Sequence, residues 1–428
     1  MVFTPVCEIS DPIHGYFYLS DVERDVIDTQ VFQRLRRIRQ LAGAHLTYPA
    51  AQHSRFEHSL GTAHVAGLAG NVLLNKGYID EDKIQILRLA ALLHDIGHGP
   101  FSHLFEEVML EGSNRTHEDI GRKMILQTEI KDILSKHGFD AKSITILSFG
   151  ESKVSFLNEV IAGGLSADIM DYLQRDSYFT GAEYGNIDAE RIINSFEVYA
   201  NRLALDKAAL YSFESMMISR YEMFKAVYFH KTVRAAEVMM LRSMILADEE
   251  LHLTDESLEN YLDLTDDATM VRLITLEPKD EQLKLAVKLA RDYRDRKLLK
   301  CVFEKILHKS DRIVRKEFNK RLLKSMTEEI ATSAGVDPNH VYIDASKAPS
   351  MPLTPTKEER GAIVLIGKDA IGKKMHYMLP ISKIPLISSI SGFMDMIRVY
   401  TISESRAKVE KAVKKVLGME SWYEKVSM

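Results

Sequence analysis

The 428-residue chain has only two cysteines, Cys7 and Cys301. A disulfide framework is therefore excluded, and a reducing, cytoplasmic setting is expected. No run of eighteen or more apolar residues occurs, and no apolar leader with a cleavage site is evident. Neither a membrane span nor a secretory signal is expected. An excess of positive charge is missing too: 56 Lys and Arg face 61 Asp and Glu, a formal net charge of −5. A phosphate-bearing ligand would have to be met by local cations or a metal rather than by the overall field. Composition gives nucleic-acid binding no support, and internal repeats and low-complexity tracts are lacking. What is there is an ordinary globular composition, 46% hydrophobic and 27% charged. Its length suits two or three domains, or one large helical core with an appendage.

The most informative stretch is Ala90–His103. An apolar helix ends on adjacent His94 and Asp95, and Gly97-His98-Gly99-Pro100 follows. A histidine and a carboxylate side by side suit a borderline divalent metal, and the flanking glycines let backbone and ligand approach closely. A plain helix C-terminus with a Gly-Pro stop is the bland alternative.

Elsewhere the pattern predicts a turn at Asp11–Gly15 between short strands, and a helix opening at Asp28-Thr29 and running through Leu41. The arginines of that helix read as a solvated basic face. A second helix starts near His58 and continues through Val72, with His94 lying 36 residues after His58. Two antiparallel helices of that spacing can aim both imidazoles at one point. Residues 115–161 read as helical. In Ser166–Asp176, Asp168, Tyr172 and Asp176 fall at i, i+4 and i+8 on one helix face. Residues 207–247 form a long Met-rich helical tract whose methionines suit core or interface packing. Residues 279–335 are helical and charged, interrupted by a strand-like 298–307. Beyond them the sequence predicts strands at 361–366, 375–379 and 397–402, a basic helix at 405–417, and a linker at 349–355. The expected fold is mainly α, with a helical core over 1–335 and a small α+β unit over 336–428. Gly367–Lys374 has P-loop spacing, but Lys374 stands where Ser or Thr belongs and a strand follows, so a hairpin turn is expected.

His58, His94, Asp95 and Asp168 are thus the candidate metal ligands. Softness alone leaves Fe, Mn, Zn, Co or Ni open. Such a site polarises a phosphoryl group. His98, His103, Glu106 and His117 lie close by. They suit proton donation to a leaving oxygen, or support of the ligands.

The pattern His58…His94-Asp95…Asp168 resembles the HD-domain metal-dependent phosphohydrolases. Asp11–Gly15, Asp28-Thr29 with Phe32–Arg36, Arg55–Gly61 and His94–His103 narrow the similarity to the deoxynucleoside triphosphate triphosphohydrolases, in particular the catalytic domain of the mammalian SAM- and HD-domain type. The resemblance is strong over residues 6–240 and weaker as far as the 397–400 strand, with no room for a SAM domain. It implies a helical core that hydrolyses a dNTP, with dGTP favoured, to deoxynucleoside and tripolyphosphate, with magnesium accompanying the triphosphate. It makes His103 the general acid, with Glu106 and His117 as its relay. It sets Arg55, His98, Arg220 and Tyr228 on triphosphate or sugar. Gln40, Leu41, Tyr172, Asp176 and Tyr228 become the sugar pocket, where Leu41 and Tyr172 crowd a ribose 2′-hydroxyl and Gln40 and Asp176 bind the 3′-hydroxyl. Ile169 stands where the family has a phosphate-binding lysine. The resemblance also implies a guanine-nucleotide activator site at Asp28, Gln33, Arg36, Arg191 and Arg398, although Cys7, Ile402 and 206–208 lack the family's basic residues. It further implies a homodimer or homotetramer. Two rivals stand beside this reading. One is another HD phosphohydrolase, such as a 5′-nucleotidase or phosphodiesterase. The other is a nucleotide sensor or single-stranded nucleic-acid binder with little turnover, suggested by the charged tract 284–324.

Overall fold

The computed structural model describes residues 5–255, 257–307, 320–349, 362–368, 374–380, 383–384 and 393–417. Strands β1 (Cys7–Asp11) and β2 (Gly15–Leu19) form an antiparallel hairpin. Its turn is held by Asp11, whose Oδ1 accepts from the backbone N–H groups of Ile13 and His14 at 2.9 Å each. Gly15 closes it at φ +79°, a conformation in which a Cβ would be strained.

Helices α1 (Asp21–Ile27) and α2 (Gln30–Gln33) follow, with Thr29 capping α2 through its side chain. The helix expected through Leu41 is shorter: it ends in a 3₁₀ turn at Arg34–Arg37. Ile38 is extended, its carbonyl accepts from Arg55 N–H at 2.9 Å, and Gln40 N–H donates to His53 at 3.0 Å. Long-range pairing with 53–55 takes the backbone groups that another helical turn would need.

Helices α3 (Arg55–Asn75) and α4 (Glu81–Leu93) form the antiparallel pair that organises the core. Ser54 and Glu57 make a capping box at the start of α3, and Asp80 caps α4, so both starts are fixed by side chains. After α5 (His103–Gly112), the helical stretch 115–161 resolves into α6 (His117–Gln127), α7 (Glu129–Lys136), α8 (Ala141–Ser148) and α9 (Ser155–Ala162). Helix α10 (Ala167–Thr180) starts on Ser166 and stops at Gly181 in the left-handed region.

Helix α11 (Ala189–Asn194) leads to a hairpin of β3 (Phe196–Tyr199) and β4 (Arg202–Asp206), which the sequence pattern did not suggest. The Met-rich tract is not one helix. It is α12 (Leu210–Met223), a π-helical turn at Phe224–Tyr228, and α13 (Lys231–Leu251). Met216, Met217, Met223, Met239, Met240 and Met244 are all buried within the chain itself, so core packing accounts for them. Helices α14 (Leu258–Leu262), α15 (Asp266–Thr275) and α16 (Glu281–Arg294) complete the main helical layer.

Among the described residues, β5 (Lys300–Leu307), helix α17 (Lys320–Ala334), β6 (Val341–Pro349), β7 (Ala362–Lys368), β8 (Lys374–Pro380), β9 (Phe393–Thr401) and helix α18 (Arg406–Val416) form the remainder. One sheet runs β5-β9-β6 and is antiparallel throughout. Behind it α17 and α18 bury a small core of Phe303, Ile330, Val399, Val409 and Val413. The other runs β3-β4-β7-β8, with β7 parallel to β4. β7 and β8 pair antiparallel up to Lys368 opposite Lys374, the hairpin expected in place of a P-loop. Residues 369–373 of that turn, 350–355 of the expected linker and 308–319 of the charged tract lie outside the described residues. The chain is mainly α with a small sheet-containing C-terminal portion. No helix among the described residues is long and apolar enough to cross a membrane.

Candidate active site

The antiparallel pairing of α3 and α4 brings the start of one helix to the end of the other. His58, in the first turn of α3, faces His94 at the C-cap of α4, their ring centroids 5.3 Å apart. Asp95 follows directly, and α10 delivers Asp168 from its first turn. His58 Nε2 lies 3.2 Å from Asp168 Oδ1 and 3.6 Å from Asp95 Oδ2. His94 Nε2 lies 3.4 Å from Asp95 Oδ1 and 3.9 Å from Asp168 Oδ1. His94 Nδ1 is engaged by the Ala91 carbonyl at 2.7 Å, while its Nε2 is buried and makes no hydrogen bond. Donor atoms of His58, His94 and Asp95 all lie within 4.8 Å of one another, with the Asp168 carboxylate beside both imidazoles, a set that suits a divalent cation. The field has the matching sign. Burial works against a charged His58, but Asp168, Asp171 and Asp95 outweigh it and raise its pKa to about 10.

Behind His58 stands Asp171, which the sequence reading overlooked. Fully buried, it takes His58 Nδ1 and His14 Nε2 at 2.8 Å each, and Arg175 through Nε at 2.9 Å and an Nη at 2.8 Å. Burial opposes its charge, yet Arg175 and the two histidines hold it well below the usual carboxylate range. An ionised Asp171 only accepts, so His58 donates from Nδ1 and turns Nε2 toward the shared point. Arg175 also reaches Asp11 at 2.8 Å, tying the β1–β2 turn to α10. Close approach is secured by Gly61, where a Cβ would sit 1.8 Å from Asp171 Oδ1.

Next to this cluster lies a polar wall. Arg55 pairs with Asp95 through Nη1 and donates from Nε to Ser102 Oγ at 2.8 Å; its Nη2 is buried and unpartnered. One turn beyond Asp168, Tyr172 stands 6.3 Å (centroids) from Tyr228, which the π-turn presents. The Tyr228 hydroxyl donates to Asp176 at 2.6 Å, and Asp176 takes His53 on its other oxygen at 2.8 Å. Arg220 lies 6.0 Å from the Tyr172 ring, with its Nε buried and unpartnered. Gln40 is tied by its backbone to His53, and its Oε1 is buried and unpartnered as well. Leu41 packs partly buried against the core. Ile169 is buried in the apolar core at 3% exposure.

A third group flanks Asp95. His98 Nε2 lies 3.3 Å from Asp95 Oδ1. Burial, then the Arg55 and His117 charges, push the His98 pKa well down, so it is neutral. His98 stacks on His117 at 4.0 Å and meets His103 edge-on at 4.9 Å. Glu106 accepts from His117 Nδ1 at 2.7 Å and lies 3.6 Å from His103 Nδ1. Burial opposes the Glu106 charge, but both histidines hold its carboxyl below the usual range. The His103 side chain is 73% exposed, which leaves its far nitrogen open to solvent.

Of the residues implied for an activator, Asp28, Gln33 and Arg36 stand together. Gln33 donates to Ile27 O at 2.9 Å, Arg36 Nε donates to Gln33 Oε1 at 2.8 Å, and the guanidinium lies 3.5 Å over Phe56. The chain does not bring Arg191 or Arg398 to them by any hydrogen bond or ion pair. Arg191 is exposed on α11. Arg398 is buried at 1% in β9, paired with Glu304 and bonded to Phe229 O.

Asp171, Arg175 and His53 were not singled out from the sequence, and Asp11 and His14, although part of a recognised motif, were given no role at the site. The i,i+4 spacing of Asp171 and Arg175 was a readable sign of one pair; their partners lie more than a hundred residues away.

Residues 55–176 match the HD domain, and residues 187–428 match the HD associated region. The chain is 33% identical over 363 residues to the uncharacterized protein YwfO of Bacillus subtilis, covering 78% of each. It is 32% identical over 334 residues to the deoxynucleoside triphosphate triphosphohydrolase SAMHD1 homolog of Dictyostelium discoideum, covering 71% of this chain and 61% of that one. Its fold matches a phosphohydrolase of Bacteroides thetaiotaomicron with a TM-score of 0.71 at 25% identity, covering 92% of this chain and 99% of the other.

Proposed function

The chain belongs to the HD-domain family, associated region included, and from that premise we propose that it hydrolyses deoxynucleoside triphosphates to deoxynucleoside and tripolyphosphate. Membership makes it a metal-dependent phosphohydrolase. The observation that carries the finer reading is a set of buried polar atoms without a hydrogen-bond partner: Nη2 of Arg55, whose guanidinium pairs with Asp95, and, around the Tyr172–Tyr228–Asp176 group, Arg220 Nε and Gln40 Oε1. Two guanidinium groups and an amide left unsatisfied call for an anion with a polar tail.

His58, His94, Asp95 and Asp168 would hold a divalent ion, which would supply Lewis-acid charge to the phosphoryl group. Arg55 and Arg220 bind and orient the triphosphate. Gln40 and Asp176 take the sugar 3′-hydroxyl, while Leu41 and Tyr172 leave no polar partner for a 2′-hydroxyl, which disfavours ribonucleotides. Water displaces the 5′-oxygen at the α-phosphorus. The attacking water releases its proton to solvent, and His103 gives the departing 5′-oxygen its proton. His103 is reprotonated by solvent, and the ionised Glu106, between His103 and His117, favours the protonated imidazole. A guanine nucleotide activates through Asp28, Gln33 and Arg36, dGTP is a favoured substrate, and the active form is a homo-oligomer.

Ion chromatography of products from each dNTP and from GTP, with Mn²⁺ or Mg²⁺, tests the reading. Tripolyphosphate from dNTPs but not GTP is expected, and tripolyphosphate only in nucleotide mixtures would identify the activator. Orthophosphate from nucleoside monophosphates, or opening of a cyclic nucleotide, would replace this reading with a nucleotidase or phosphodiesterase.

A further inference from the structure

The turn between His98 and His103 carries an unusual backbone. Phe101 and Ser102 both have positive φ, 58° and 57°, and Ser102 has ψ −121°. Two consecutive residues with side chains in that half of the map persist only where the surroundings over-determine them. What over-determines them comes from outside the segment matching the HD domain.

Asp266 opens α15, within the associated region, and is 1% exposed. Its Oδ1 accepts from Phe101 N–H at 2.7 Å, and its Oδ2 accepts from Arg39 N–H at 3.1 Å and from an Arg39 Nη at 3.3 Å. The Arg39 carbonyl accepts from Ser102 Oγ at 2.6 Å, and Ser102 Oγ accepts from Arg55 Nε at 2.8 Å. Asp266 thus fixes both segments that hold Ser102, and Ser102 holds Arg55. Upstream, the Tyr261 hydroxyl donates to Gly97 O at 2.8 Å. Arg34, 4.9 Å over the Tyr261 ring, bridges His98 O at 2.8 Å and Leu264 O at 3.2 Å.

We propose that Asp266 is a positioning residue: through the Phe101–Ser102 turn it sets Arg55 and His103 at the phosphate end of the site, with Tyr261 anchoring the start of the same loop. The associated region therefore holds the HD domain's reactive loop in shape while touching no substrate. The proposal rests on the dNTPase reading only for the choice of substrate.

The test compares metal-loaded wild type with Asp266→Ala, Asp266→Asn and Tyr261→Phe. It reads hydrogen exchange of the 97–105 segment without substrate, metal content, and kcat against KM. In Asp266→Ala, exchange of 97–105 rises while that of α3 stays at wild type, metal content is unchanged, and kcat falls about a hundredfold with KM within about threefold, the scale of a misplaced catalytic group. Asp266→Asn, which keeps an acceptor for Phe101 N–H, recovers part of kcat. If Asp266→Ala does not fold, Tyr261→Phe loses one hydroxyl only and still loosens 97–105, with a smaller fall in kcat. Wild-type exchange of 97–105 in every folded variant would overturn the proposal, as would loosening spread equally through α3. A wild type that hydrolyses no dNTP defeats the functional reading, and the exchange data still decide this one.

Discussion

Asp171 Oδ2 lies 2.8 Å from His58 Nδ1, with no solvent on either side chain. The carboxylate is held by four hydrogen bonds from three residues, so it fixes the plane of the ring. Asp171→Asn is expected to weaken metal binding about 10- to 100-fold, the usual effect of losing a ligand's hydrogen-bond partner. Mn²⁺ titration of metal-free protein followed by electron paramagnetic resonance measures this. Affinity equal to wild type in a folded variant would remove Asp171 from the metal centre.

Gly61→Ala tests the same contact from the other side. The added Cβ meets the Asp171 carboxylate at 1.8 Å, in a place pinned by Arg175. Overpacking of this kind costs about 3 kcal/mol, read as a lower urea midpoint with unchanged slope. A variant as stable as wild type would show that α3 and α10 separate more easily than their packing implies.

His103→Ala is expected to lower kcat about 10²- to 10⁴-fold with metal content retained, the range for a lost general acid. Glu106→Gln should cost less, since Glu106 acts only through His103 and His117. Single-turnover release of tripolyphosphate is the readout. Because the His103 side chain is 73% exposed, thermal stability should hardly move in His103→Ala, and a large drop would mean that the residue is structural.

His64 predicts a pH dependence of stability. Burial, then the charges of His14 and Arg88, lower its pKa from 6.5 to about 4. The unfolded chain takes up a proton near pH 6.5, while the folded chain does so only near 4. Stability from this residue is therefore full above about 6.5 and is lost as pH falls toward 4, by about 3 kcal/mol at most. Urea melts at pH 7 and pH 4.5 should show a smaller acid loss in His64→Met than in wild type. An equal loss in both would assign acid sensitivity elsewhere.

Much of this was readable before any coordinates, and the reason is local geometry. His94-Asp95 ends one helix, Asp168, Tyr172 and Asp176 share one helix face, and the C-terminal strands show themselves as apolar runs. The structure places β7, β8, β9 and α18 within a few residues of the expected positions. What could not be read is decided at long range. Nothing near Ile38 says that its carbonyl will bond Arg55 rather than continue a helix. Nothing near Asp171 names His14 as its partner. The β3–β4 hairpin sits in a segment with no strong alternation, and β7 completes its sheet from far along the chain.

That last pairing sets an order on the protein's birth. All four candidate metal ligands are synthesised by residue 168, yet β4 receives its parallel neighbour only when Val364 arrives beside Ala204. Until then the growing chain carries the unpaired edge of β4, the kind of surface that captures other chains. A premature stop after α15 and before β7 would yield a product that carries every proposed metal- and substrate-binding residue but leaves its strand edge unguarded, prone to clump rather than to work.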